Sequence, residues 1–376
     1  MKAAQNITII GGGIGGLAAA RACALRGAHV TVLEQARAIS EVGAGLQISP
    51  NGFAVLRALG LGDALRAAAV QGEAVALHDY RRGPVVRLDL TRLGSRDYWF
   101  VHRADLIEIL RAGAVAAGVE IRTSMRVETP EDCPGDLVVG ADGLHSVLRP
   151  ILNGPEAPFF TGQVAWRAVI PHDGARGAEA RVHMAPRRHL VSYPLRAGHL
   201  MNLVAVEERA EWTPESWSQA GDADDLRARF ADFGPDAQAM LGAVEAVSQW
   251  GLFRHPVAKI WGQGRYALLG DAAHPTLPFL AQGASMALED AWVLAEALAQ
   301  QTLPGALETY TGRRHPRAAR VIDAASGNAW KYHLSFPPLR LAAHTALRLG
   351  GRLAPMKMMR QFDWLYGMDV TGGAAL

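Results

Sequence analysis

The sequence predicts an α/β (α+β) fold: a Rossmann-like dinucleotide-binding domain, an inserted β-sheet domain and C-terminal helices. Three observations predict it. Gly11, Gly13 and Gly16 join an apolar strand to a helix near the N-terminus. Segments of period-two alternation, the mark of half-buried strands, cluster at 72–98 and 155–255. Beyond Glu289 the apolar pattern turns helical. The nucleotide domain is therefore expected to be discontinuous, over 1–71, 99–154 and 256–330. A sheet excursion is expected at 72–98, the inserted domain at 155–255 and a helical region at 331–376.

Taken in order, residues 6–12 (NITIIGG) read as a short buried strand, 14–26 as a helix and 28–35 (AHVTVLEQ) as a second strand, a βαβ opening. Residues 52–68 are helical around a glycine interruption, 103–118 form a cleaner amphipathic helix, and VEIRTSM returns to strand. DLVVGADG at 136–143 is an apolar strand ending in an acidic turn, the edge where open α/β sheets bind ligands. VALHDYRRGPVVRLDL, GQVAWRAVI, EARVHM, HLVSYPL and HLMNLVAVEE then supply strands expected to pair antiparallel. RYALLGDAA brings the chain back to the first domain, and helices at 306–334 and 339–365 flank a break at Pro337-Pro338.

Composition narrows the function classes. The 376 residues carry 38 Lys+Arg against 36 Asp+Glu, a formal charge of +2, so no large field is available to hold a nucleic-acid backbone. Cys23 and Cys133 have no CxxC companion, which points away from a disulfide framework and a thiolate metal site. The apolar opening lacks the charged leader of a signal peptide, and charges interrupt the long apolar runs. A soluble cytoplasmic protein with no nucleic-acid, membrane or metal partner is the expectation.

The GxGxxG of Gly11, Gly13 and Gly16 sits directly between strand and helix, where glycines permit the tight turn and a helix N-terminus offers free N–H groups to phosphates. Glu34 ends the next strand, 18 residues beyond Gly16, in position to accept from an adenosine ribose. This fingerprint serves nicotinamide and flavin dinucleotides alike. Two further loops follow apolar strands: VGADGLHSVLR at 139–149, and the stretch from 268 to 298, which sets Asp271 at a strand end and Gly283-Ala284 at a helix start. A carboxylate there can hold ribityl hydroxyls, and the helix start can place N–H donors against an electron-rich flavin edge.

These motifs in this order resemble the FAD-dependent aromatic hydroxylases, the class A flavoprotein monooxygenases. The chain is most similar to their salicylate, 3-hydroxybenzoate and 6-hydroxynicotinate hydroxylase branch, from GGGIGG through the terminal WLYGMDV. The resemblance implies a Rossmann-like FAD-binding domain with an inserted substrate-domain sheet. It implies Gly11, Gly13 and Gly16 at the FAD pyrophosphate, Glu34 at the ribose, and Gly45 and Arg103 in cofactor contact. Asp142 would belong to the motif shared by FAD and pyridine nucleotide, Asp271 would bind the ribityl or pyrophosphate region, Pro275 would lie near the ring, and Gly283 and Ala284 beside its pyrimidine part. NADH or NADPH would bind transiently and reduce FAD by hydride transfer. Molecular oxygen would be the second co-substrate, with hydroxylation proceeding through a C4a-hydroperoxyflavin.

In HLVSYPLRAG, His189 and Tyr193 share strand parity and so one face. Either can bind a phenolic oxygen or carboxylate, and His189 can take the phenol proton; the plainer alternative is a pair satisfied at a sheet edge. Gln47 and Phe279 stand where the 6-hydroxynicotinate enzymes have histidines, so a more apolar pocket is expected, with Phe279 packing on an aromatic ring or in the core. The implied substrate is a monocyclic phenolic or hydroxylated heteroaromatic acid, decarboxylated where the hydroxylated carbon carries the carboxylate. The alternatives are a larger aromatic or polyketide-like substrate and a non-catalytic FAD-binding redox sensor. His274 is expected to shape its loop rather than transfer protons. The C-terminal helices, with Trp330, Tyr332, Trp364 and Tyr366, are expected either to cover the cofactor domain or to form a homodimer interface.

Overall fold

Strands as apolar and β-branched as NITII, HVTVL and LVVG require burial on both faces. They form the middle of a six-stranded sheet in the order Gly262–Gln263, Tyr266–Leu268, Leu137–Gly140, Asn6–Ile10, His29–Leu33, Glu120–Arg122. The computed structural model describes residues 5–39, 44–93, 95, 97–174, 177–211, 213, 215 and 219–374, with backbone alone at 328–329. All neighbours in this sheet run parallel except the Gly262–Gln263 edge. The order reverses between Asn6–Ile10 and Leu137–Gly140, so connections leave that point in opposite directions and open a crevice at the strands' carboxyl ends. Gly11 follows directly on one of those ends, and Asp142 and Asp271 lie within three residues of two others.

An eight-stranded sheet packs against this crevice. It includes Ala74–Asp79, Gly83–Asp89, Phe159–Pro171, Glu179–Ala185, Arg188–Leu195, Leu200–Glu208 and Val247–Arg254. The expected antiparallel pairing fails at one place: Glu179–Ala185 runs parallel to Ala74–Asp79. The Ala74 strand arrives from the first domain across some hundred residues rather than through a hairpin, and only such a long connection permits a parallel neighbour. One face of the sheet buries Trp166, Leu190 and Leu203 beneath Leu226, Phe230 and Met240 of two short helices. The opposite face groups Ala165, Val206, Trp250 and Leu252 with Phe279 of the first domain. A three-stranded sheet, Gly45–Ile48, Trp99–His102 and Val70–Gln71, joins the two, and the Gly45 amide donates to Asn202 Oδ1 at 2.7 Å.

The glycine interruption expected within 52–68 separates two helices, Pro50–Ala58 and Gly62–Ala68, turning at Gly60 (φ +72°). Two boundaries differ from expectation. The helix Leu303–Tyr332 runs unbroken across the expected boundary at 330/331. Pro337 opens the helix Pro337–Leu353, since a first-turn proline forfeits no hydrogen bond, and Pro355 restarts the chain as Pro355–Arg360, followed by Asp363–Tyr366.

Behind the crevice the helix Gly283–Gln300 buries Glu289 and Asp290 fully, against Arg314 and Arg317 of Leu303–Tyr332. Asp290 accepts from Arg314 Nε at 2.7 Å and from His274 Nε2 at 2.5 Å. Burial alone pushes its carboxyl up, but His274 and Arg314 outweigh that and bring it down to about 2. The folded value lies below the ordinary 3.8, so the stabilisation is fully present above that pH and is lost as pH falls through about 2. Asp290→Asn is expected to flatten the acid limb of a stability–pH curve by roughly 2–3 kcal/mol. Urea denaturation across that window measures it, and an unchanged acid limb refutes it.

Candidate active site

The first turn of the crevice is shaped by what a side chain would strike. Gly11 has φ +105°, and a Cβ there would lie 2.4 Å from the Ala141 carbonyl oxygen; a Cβ on Gly16 would lie 2.0 Å from the Gly11 oxygen. Both glycines close the turn rather than line a ligand space. Gly13 is the opposite case: a Cβ would meet nothing within 4 Å, and the residue caps the helix Ile14–Ala24, whose first turn carries no acidic side chain. Its free amides and partial positive charge face open space suited to an anion. Glu34 is held at this turn, accepting from the Gly12 amide at 2.7 Å and the Ala36 amide at 2.8 Å.

One cavity of about 620 Å³ extends from Gly13 between the two sheets to the C-terminal helices. Its first-domain wall holds Gly45, Arg103, Asp271, Pro275, Gly283 and Ala284. Arg103 begins the helix Arg103–Ala116, and its amide donates to the Ala44 oxygen at 2.8 Å. Burial pushes the Asp271 carboxyl up, opposed by His274, Arg103 and His255. Asp142 lies outside the lining, its Oδ2 accepting from the Val147 amide at 2.8 Å, and burial raises its carboxyl too. His274 does not reach the cavity: it is fully buried, hydrogen-bonded to Asp290 and stacked on Trp261 at 5.0 Å.

His189 and Tyr193 line the cavity from the inserted sheet, and Gln47, beside Gly45 on Gly45–Ile48, and Phe279 of the first domain line the same cavity. His189 and Tyr193 share the cavity face of Arg188–Leu195 as their parity requires. The His189 ring lies 5.9 Å from that of Phe279, which is also part of the Trp250 core group. Burial, reinforced by His333, holds the His189 imidazole well below its usual range, and burial pushes the Tyr193 phenol up. His189 is therefore a neutral base and Tyr193 a protonated donor at neutral pH. Gln47 Oε1 accepts from the Tyr98 hydroxyl at 2.8 Å, which leaves its NH₂ as the group to meet a ligand.

Sequence reasoning missed several neighbours. Arg167, on the Phe159–Pro171 strand, lines the cavity with its guanidinium 5.0 Å from the Trp250 ring. Its parity with Ala165, on the inner face, was the available signal. Of the aromatic residues expected on the C-terminal helices to cover the cofactor domain or form an interface, Tyr332 and Tyr366 line the cavity, whereas Trp330 is 58% exposed. His333, just past the Leu303–Tyr332 helix, bonds His189 across 144 positions, and no local pattern announces it.

The chain matches the FAD binding domain family over residues 4–136 and 131–325. It is 34% identical to the 3-amino-4-hydroxybenzoate 2-monooxygenase PtnB3 of Streptomyces platensis, over 97% of this chain and 96% of that protein. It is 35% identical, over the same shares, to the 3-hydroxybenzoate 6-hydroxylase of Polaromonas naphthalenivorans strain CJ2. Its fold superposes on Klebsiella pneumoniae HpxO, solved with FAD and uric acid, with a TM-score of 0.81 and 27% identity, covering 95% of this chain and 96% of that one. The open cradle at Gly13 and the long cavity beyond it fit FAD, and the chain binds it. Relatives aligned over nearly their whole length, together with a match spanning both halves of the nucleotide domain, place the chain in the FAD-binding monooxygenase family, the class A flavoprotein hydroxylases, near their 3-hydroxybenzoate branch.

Proposed function

We propose that the enzyme hydroxylates a small phenolic or hydroxylated heteroaromatic acid, consuming NADH or NADPH and molecular oxygen, with loss of the carboxylate where the hydroxylated carbon carries it. The observation that carries this reading is one apolar cavity, continuous with the Gly13 cradle, that presents a neutral base at His189 and a cation at Arg167. When bound, FAD supplies the electron transfer and oxygen activation that no side chain provides. Gly13 and the Ile14–Ala24 N-terminus would hold its pyrophosphate, Arg103 and Asp271 its sugar and phosphate portion, and Gly283 and Ala284 its ring. His189 accepts the phenol proton, which makes the ring a better nucleophile. Arg167 takes the carboxylate, Tyr193 and Gln47 orient the polar groups, and Phe279, Val206 and Trp250 keep water from the reacting carbon.

A panel of hydroxybenzoates and hydroxynicotinates, followed by NAD(P)H oxidation, oxygen uptake and product identification, tests the reading. Coupled formation of a hydroxylated product supports it, and peroxide alone with every member counts against it. Arg167→Ala is expected to weaken binding of the accepted acid about 10- to 100-fold while leaving the matching phenol without a carboxylate nearly unaffected. Equal loss for both would remove Arg167 from carboxylate recognition. A larger aromatic substrate is the second reading, favoured by the apolar run of Leu77, Val182, Met184, Leu347 and Met358 that extends the cavity toward the C-terminal helices.

A further inference from the structure

His189 does not end the polar chain that starts in the cavity. Its Nδ1 lies 2.7 Å from Nε2 of His333, and Nδ1 of His333 lies 3.0 Å from Oε1 of Glu208. The two imidazoles are 3% and 4% exposed, whereas the Glu208 side chain is 33% exposed and its other oxygen accepts from Arg187 at the surface. Three groups thus connect the cavity wall, through two buried imidazoles, to solvent.

The acceptor at the outer end fixes the tautomers along the chain. A carboxylate only accepts, so the proton between Glu208 and His333 sits on His333 Nδ1. Nε2 of a neutral His333 then carries a lone pair and accepts from His189 Nδ1–H. That leaves His189 with a bare Nε2 on the ring that lines the cavity, the nitrogen a base requires. Burial lowers both imidazoles, which keeps them neutral and able to pass a proton on without storing it. Around the pair, Tyr332 and Lys331 face the cavity from the helix end and Arg187 flanks Glu208. Arg188 and Glu207, of opposite parity on their strands, pair instead with Asp232 and Arg229.

We infer that His189, His333 and Glu208 form a proton relay that carries the substrate's phenolic proton from the cavity to solvent and returns one to the product. The inference rests on the phenolic reading given above. On the outward pass the substrate O–H bond breaks and His189 Nε2–H forms. His189 Nδ1–H passes to His333 Nε2, and His333 Nδ1–H passes through Glu208 to water. The return pass runs the same exchanges backward onto the product oxygen and restores both tautomers. His189 touches the substrate; His333 and Glu208 act through it as positioning and transfer groups.

The test uses the FAD-loaded enzyme and 4-hydroxy-3-nitrobenzoate, whose ionisation is visible as phenolate absorbance. In stopped-flow mixing below the probe's own pKa, His333→Ala is expected to slow phenolate appearance by about 10²-fold, the lower end of general acid–base contributions. Added imidazole restores the rate, and affinity for the already ionised probe at higher pH stays unchanged. Glu208→Gln, a partly exposed site that leaves the core intact, slows ionisation by a smaller factor and keeps the relay testable should His333→Ala fold poorly. A probe that binds and ionises equally fast in wild type and both variants overturns the relay alone. Failure of the wild-type enzyme to ionise any bound nitrophenolic acid overturns the substrate class, and the relay with it.

Discussion

Glu289→Ala is expected to cost about 3–5 kcal/mol of folding stability. The carboxylate is fully buried and accepts from Arg317 Nε and Nη2, both at 2.7 Å, from Arg314 Nη1 at 2.5 Å and from Asn51 Nδ2 at 2.6 Å. Its removal leaves Arg317 with only the Trp364 and Leu365 carbonyls and strands positive charge in the interior. The arginines more than offset the desolvation that would raise the Glu289 carboxyl, so the group stays ionised. Chemical denaturation of the FAD-loaded protein measures the loss. Replacing Glu289 and Arg317 together by apolar residues of similar volume should recover part of it, since the cost lies in the charge left behind rather than in the missing pair. A single-variant loss below about 1 kcal/mol, the range of exposed pairs, would show that the cluster is hydrated.

His189→Phe is expected to lower hydroxylated product by about 10²- to 10⁴-fold with little change in bound FAD. Phenylalanine suits the apolar surroundings of Phe279 and Tyr332 but takes no proton. Consumption of NAD(P)H should continue, with oxygen leaving as peroxide because the substrate ring stays protonated and unreactive. Product analysis beside peroxide measurement checks it. Product formation close to wild type would show that the substrate's own acidity, rather than His189, supplies the phenolate.

What the sequence made legible was what local chemistry determines. The glycine turn, the strand-end aspartates and the shared face of His189 and Tyr193 each depend on residues within a few positions of one another. Arg167 was hidden because alternation tells which residues share a face but not which face turns inward. His333 depended on where a thirty-residue helix ends in space, and Tyr332 and Tyr366 on how the C-terminal helices fold back over the cavity. The parallel pairing of Ala74–Asp79 with Glu179–Ala185 was hidden for the same reason, being decided by the route between domains. Pro337 was read as a break because proline stops a helix it follows yet starts one it leads.

The strand Tyr266–Leu268, which completes the parallel sheet beside Leu137–Gly140, has a consequence for how the chain is made. A nascent polypeptide leaving the ribosome carries the Gly11–Gly16 turn from the start, but that turn faces an unfinished crevice until residue 268 has been synthesised. By the time residue 268 itself emerges, every strand of the inserted sheet, including the distant Ala74–Asp79 pairing, has emerged ahead of it and can dock. The entropy of closing that long excursion is met before the last parallel strand arrives. The wall that will face the substrate is thus available for assembly first, and the cleft for the dinucleotide closes around it last.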